Sequence, residues 1–262
     1  MKLWNYKGEQ DSITEALQLS IPGHALIALT GAGGKTSLMT AWARELSDSG
    51  KKTVITTTTN LHHPDHFRND PADPYRGIPV IYPEVFRDGS SFDTDRFASE
   101  LEDILDKNSL AMVVSCDPEK PGKVMSPPPE ADGVIRMKAD AVITEADGSR
   151  RKPFKWPKPW EPAVPEETDI TVCVAGLSAL GRKLQDVMYA AEELPAALHR
   201  ETVDEQLIGA VLASADGGQK GARGEFRVFL NQADNDSLMQ SAFRIRQILG
   251  VCGIQSAWGA LI

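Results

Sequence analysis

Cysteine is scarce in this 262-residue chain: Cys116, Cys173 and Cys252 are widely spaced and odd in number. That argues against a disulfide framework and against a closed cysteine zinc site. Cys173 and Cys252 sit in apolar segments and are expected in the core, because free cysteine is among the most buried residue types. Long apolar runs are also missing. None approaches the roughly 18 to 20 residues that cross a bilayer, and "MKLWNYKGEQ" has no apolar signal-peptide core, so a cytoplasmic protein without a membrane segment is expected. Basic charge is in deficit, with 28 Lys and Arg against 37 Asp and Glu and a net charge of -9. Broad binding to nucleic acid or anionic membrane is therefore disfavoured, and only a local basic patch remains open.

Against these absences stands a regular alternation of elements. Short β-rich apolar runs recur at 25–31, 52–59, 78–82, 110–116, 140–147, 169–177, 225–232 and 254–262, with helix-like stretches at 35–48, 93–107, 202–214 and 235–249. Strands apolar on both faces that alternate with helices indicate a parallel sheet covered on both sides. Two stretches, 117–130 and 150–165, are too rich in Pro for regular elements and read as long loops.

The stretch "ALIALTGAGGKTSL", residues 25–38, carries an apolar strand into glycines and then Gly34-Lys35-Thr36. Where a strand ends and a helix begins, unpaired backbone N–H groups and the helix dipole converge and hold phosphate. A following Lys adds a point charge and the next hydroxyl binds Mg²⁺. Gly31, Ala32, Gly33, Gly34, Lys35, Thr36 and Ser37 are the expected phosphate loop, with Lys35 an exposed loop residue of little weight in the core. The spacing is a variant, since the position six before Lys35 is Leu29 and the first glycine is Gly31. The expected fold is thus α/β: one P-loop NTPase-like domain over residues 1–262, a mostly parallel sheet with helices on both faces, and two long Pro-rich loops.

Hydrolysis or transfer also needs an acid on the metal side and a group that places the nucleophile. "VITEADGSR" puts Glu145 and Asp147 at the carboxyl edge of a strand, the edge where ligands bind in open α/β sheets. Glu145 joins Thr36 as the candidate metal ligand, and Asp147 is the candidate for positioning water. "TTTTN" at 56–60 brings hydroxyls to the same edge. "NQAD", Asn231 to Asp234, is one residue from the Asn-Lys-x-Asp pattern that reads guanine, with Asp234 accepting from the base and Gln232 in the Lys position. "RRKPFKWPK", residues 150–158, reads as a basic lid from which Arg150 or Arg151 stabilises transition-state charge. Stacking of nucleic acid on Trp156 and Trp160 is the weaker reading. His62, His63 and His66 are taken as exposed loop histidines, because Pro64 interrupts the pattern and no carboxylates complete a metal site.

These residues resemble the YqeC family. The likeness rests on "TGAGGKTSL", "TTTTN", "EADGSRRKPFKWPKPWEPAVP", "AGLSALGRKL", "LHRETV" and "FLNQAD", in that order. It implies a P-loop protein that binds GTP or ATP with Mg²⁺ and assists selenium-cofactor maturation of molybdenum hydroxylases, with the hydroxylase or another maturation protein as partner. The glycine loop alone is also similar to the Gly-x-x-Gly-Lys-Thr-Ser loop of the Mur ligases. That similarity keeps open an ATP-dependent small-molecule kinase or ligase, beside a nucleotide-binding scaffold without turnover.

Overall fold

In the computed structural model, which describes residues 1–67, 70–88 and 91–261, the apolar run Ala25–Gly31 is a strand buried at every position. It lies near the middle of a ten-stranded sheet. In chain order the strands are β1 Lys2–Asn5, β2 Gly8–Gln10, β3 Ala25–Gly31, β4 Thr53–Thr57, β5 Val80–Ile81, β6 Leu110–Val113, β7 Ala141–Glu145, β8 Ile170–Gly176, β9 Glu225–Asn231 and β10 Ser256–Ala260. Across the sheet they run β2-β1-β10-β9-β8-β3-β7-β4-β6-β5. Strands β10 to β5 in that order pair in parallel, while β1 and β2 add antiparallel to the β10 edge.

Successive side chains of a strand point to opposite faces, and both faces of this sheet are apolar. Ile27, Leu29, Ile55, Ile143, Val172 and Val174 meet Leu38, Met39 and Trp42 of helix α1, Lys35–Asp48. On the other face, Leu26, Val54, Ala111 and Val142 pack under α2, Thr94–Asn108, and α3, Pro129–Lys138. Cys173, Ala175, Val228 and Leu230 pack under α4, Glu205–Ala213, and α5, Asp236–Val251. Each large apolar side chain buried this way contributes about 1.5–3 kcal/mol. The expected α/β architecture, mostly parallel and covered on both faces, is what the chain adopts.

The two Pro-rich stretches depart from expectation. Lys123–Met125 forms the middle strand of a small sheet with Ser115–Cys116 and Leu61–His62. Pro129 opens α3, where a missing N–H costs nothing and the fixed φ suits the first turn. Phe154–Lys155 pairs with Met188–Tyr189, and Phe154 and Trp156 are buried beneath α4. The second half of the basic segment is therefore core and not lid. Cys252 also corrects its expectation: it caps the exposed end of α5 and faces solvent, whereas Cys173 is buried as expected. The last residue of the run 254–262, Ile262, lies outside the described residues.

Candidate functional site

Strand β3 ends at Gly31, and Gly34 is the N-cap of α1, so the loop between them closes in three residues. Helices α2, α4 and α5 have their first turns capped by the side chains of Asp93, Asp204 and Asn235, but α1 has no side-chain cap and no acid in its first turn. Its first amides are left to an outside acceptor. The backbone of Gly33 touches Gly176 and Pro153, and Asn231 Nδ2 donates to Gly33 O at 2.9 Å. The loop is thus pinned from β8, β9 and the segment after β7.

The parallel register places Glu145 beside Leu29 and Thr57. From there its carboxylate accepts from the Thr36 hydroxyl at 3.0 Å and lies 3.6 Å from Lys35 Nζ. Lys35 is not the exposed residue the loop suggested: it is 4 % exposed, donates to Gly31 O at 2.6 Å, and lies 3.1 Å from Asp147 Oδ1. Asp147 accepts from Gly31 N at 3.0 Å and from Lys155 Nζ at 2.9 Å, and Lys155 also reaches Glu161 at 2.9 Å. Burial by itself would lower the Lys35 ammonium's affinity for its proton, but Asp147 and Glu145 outweigh it and hold the group above its usual range. Burial pushes the Glu145 carboxyl up, with Lys35 and Thr36 offsetting only part of that.

Lys35, Thr36 and Glu145 of this cluster line a cleft of about 560 Å³, while Asp147 and Lys155 stay buried outside its lining. Gly33, Gly34, Lys35, Thr36, Ser37 and Glu145 line it on one side, and Arg150, Arg151, Lys152, Lys123, His62 and Arg182 line the rest. Among the described residues, six Lys or Arg and one carboxylate line it, in a chain of net charge -9. Arg150 and Arg151 are held with φ of 49° and 61°, a left-handed conformation that costs non-glycine residues about 1–3 kcal/mol each and gathers at functional sites. The Arg150 guanidinium lies 5.8 Å from the Tyr189 ring centre, and Lys152 Nζ donates to Asp186 O.

The structure brings together most of the residues picked from the sequence, but not all. Thr56 donates to Val113 O, Thr57 to Glu145 O and Thr58 to Ala163 O, so these hydroxyls tie strands and loops together. Asp234 is exposed and lines a separate depression with Lys2 and Trp4. Gln232 does line the cleft, where its side-chain oxygen accepts from the Ser178 hydroxyl at 2.6 Å. Sequence reasoning missed Lys155, the buried partner of Asp147. It also missed His62, Lys123 and Tyr75 in the cleft wall. Only the position of His62 two residues after "TTTTN" hinted at its place.

The matched family model, described as YqeC protein, covers residues 27–192, which include β3, the glycine loop, Glu145, Asp147 and the paired arginines. The chain belongs to the YqeC family. A curated relative, the uncharacterized protein YqeC of Escherichia coli strain K12, is 31% identical over 167 residues, which is 61% of this chain and 54% of the relative. The chain thus spans about half the length of the curated relative it matches. Asn231 and Asp234 fall outside the YqeC family match. No helix among the described residues is long and apolar enough to cross a membrane.

Proposed function

We propose that the cleft binds a nucleoside triphosphate, ATP or GTP, with Mg²⁺, and that the protein is a P-loop nucleoside-triphosphatase or switch. One observation carries the reading: an uncapped helix N-terminus with Lys35 and Thr36, and Glu145 in contact with both, opens into a cleft whose other charged lining among the described residues is basic. Anions favour such a terminus by charge and by free N–H donors. Gly33, Gly34 and Ser37 supply the backbone cradle, whereas the Gly31 and Ala32 amides, expected there from the sequence, are already taken by Asp147 and Val174 O; Lys35 exchanges its carboxylate partners for phosphate oxygens. Arg150 approaches the bound phosphates from the segment after β7, and Arg151 lies beside His62 in the same cleft.

The residues present fit Mg²⁺. Thr36 Oγ1 and Glu145 Oε2 are two hard oxygens 3.0 Å apart at the cleft floor, and Mg²⁺ is held by one or two protein oxygens with phosphates and waters completing the shell. When bound, the ion neutralises charge on the phosphates. Asp147 is committed to Gly31 N and Lys155 on one oxygen, its buried Oδ1 faces Lys35, and it does not line the cleft, so its part is to hold Lys35 in place and not to position water. In the YqeC setting, the nucleotide state would govern a maturation partner such as a selenium-dependent molybdenum hydroxylase.

Calorimetry with ATP and GTP, each with Mg²⁺, tests the reading; saturable binding of neither nucleotide would sink it. Because Asp234 lies outside the cleft lining, Asp234→Ala should leave both affinities unchanged. A loss of about 2 kcal/mol for GTP alone, the scale of an unpaired buried polar group, would instead mark guanine recognition.

A further inference from the structure

The cleft that the glycine loop lines carries a second cluster with its own geometry. Lys123 and His62 are register partners on two antiparallel strands of the small sheet. Arg151 reaches across from the segment after β7, with its guanidinium 3.4 Å from His62 Nε2. Neither Lys123 nor Arg151 has an ion pair among the described residues, and both line the same cleft as Lys35. Burial, then Lys123 and Arg151, lower the His62 imidazole below its usual range, and burial, then Arg151, lowers Lys123. No carboxylate among the described residues is paired with Lys123 or Arg151.

One triphosphate does not account for it. Phosphates seated at the α1 N-terminus meet Lys35 and the metal, which already cancel much of their charge. Lys123 and His62 stand on a different sheet, whose Leu61 and Val124 pack into the same core as α1. Gathering like charges at a cleft wall is costly in the empty protein, and an anion bound between them removes that cost.

We propose that the cleft holds a second anionic reactant, a small carboxylate or phosphate oxyanion, between His62, Lys123 and Arg151, beside the nucleotide. The proposal rests on the triphosphate reading above and gives that site its co-substrate class. Such an oxyanion is a phosphoryl acceptor. One of its oxygens attacks the γ-phosphorus, the bond from that phosphorus to the β–γ bridging oxygen breaks, and the electron pair leaves on the nucleoside diphosphate. The acceptor enters ionised, so no proton has to be removed.

The test titrates inorganic phosphate, and in a separate arm citrate, into the full chain loaded with Mg²⁺ and a non-hydrolysable ATP or GTP analogue. Saturable binding of either anion to the loaded protein is expected, and the stronger arm identifies phosphate or carboxylate as the class. Lys123→Gln and His62→Gln should weaken that anion about tenfold or more, the scale of a lost charge-assisted contact, while analogue affinity changes less than about twofold. Thermal melts check that both variants fold. In the parent, the His62 ring proton should titrate at higher pH when the anion is present.

Competition between anion and analogue would overturn the proposal, because the cluster would then serve the nucleotide itself. So would no binding of either anion, or binding indifferent to both variants. If the analogue fails to bind while the anion binds and Lys123→Gln weakens it, the triphosphate reading falls and the anion subsite stands.

Discussion

Replacing Gly33 by Ala tests whether the glycine loop is held by its neighbours as closely as the structure shows. A Cβ at Gly33 would lie 2.5 Å from both Gly176 Cα and Pro153 O, with Gly176 N also in the way, and the residue sits at φ +83°. These are backbone atoms of β8 and of the segment after β7, so no rotamer change relieves the clash. Two costs add: about 1–2 kcal/mol for a left-handed non-glycine residue, and about 1–3 kcal/mol for forcing apart a packed region. Gly50 separates them. It has φ +87° with nothing within 4 Å of its Cβ, so Gly50→Ala carries the first cost alone. Urea melts of both variants should show Gly33→Ala less stable than Gly50→Ala by about 1–3 kcal/mol, with triphosphate affinity reduced only in the former. Equal stability of the two would mean that the loop does not rest on Gly176 and Pro153, and the pinned cradle would be wrong.

Lys35→Ala should abolish triphosphate binding and also lower stability by about 3–5 kcal/mol, because it leaves Asp147 and Glu145 buried with one cation fewer; a variant as stable as its parent in urea would contradict the buried cluster. Of the three thiols, the exposed Cys116 and Cys252 should react with a thiol reagent at pH 8, while Cys173, whose burial pushes its thiol up to about 12, should react only after unfolding; three fast thiols in the native protein would refute that. His62 titrates below its ordinary value of 6.5. As pH falls below about 6.5 the unfolded chain takes up a proton that the folded site resists, so stability drops there and is unaffected above. Thermal melts between pH 5 and 7 should show that limb flattened in His62→Gln; an identical slope in the variant would remove His62 from the cationic cluster.

Local pattern was enough to place many of the elements. The strand Ala25–Gly31 and the helix Lys35–Asp48 fall where the apolar run and the glycines put them, because burial on both faces and a break in backbone conformation are written in adjacent residues. The glycine loop, Glu145 at a strand end and the paired arginines were legible for the same reason: a parallel sheet brings the ends of its strands to one edge. The hairpin Lys2–Gln10 was missed, since its strands are only four and three residues long. Helix α3 was hidden by the prolines that begin it.

What the linear pattern left open concerns partners distant along the chain. Lys35 looked exposed, yet Asp147 lies 112 positions on and β7 pairs beside β3, so only the sheet order makes the two a buried ion pair. Lys155 looked like one more surface charge until Phe154 and Trp156 on either side went into the core and carried it under Asp147. His62, Lys123 and Arg151 share one cleft wall because a small sheet and the segment after β7 meet there. Hydrophobic periodicity reports which face of an element is buried. It does not report which charges that burial brings together, and in this protein those charges make the site.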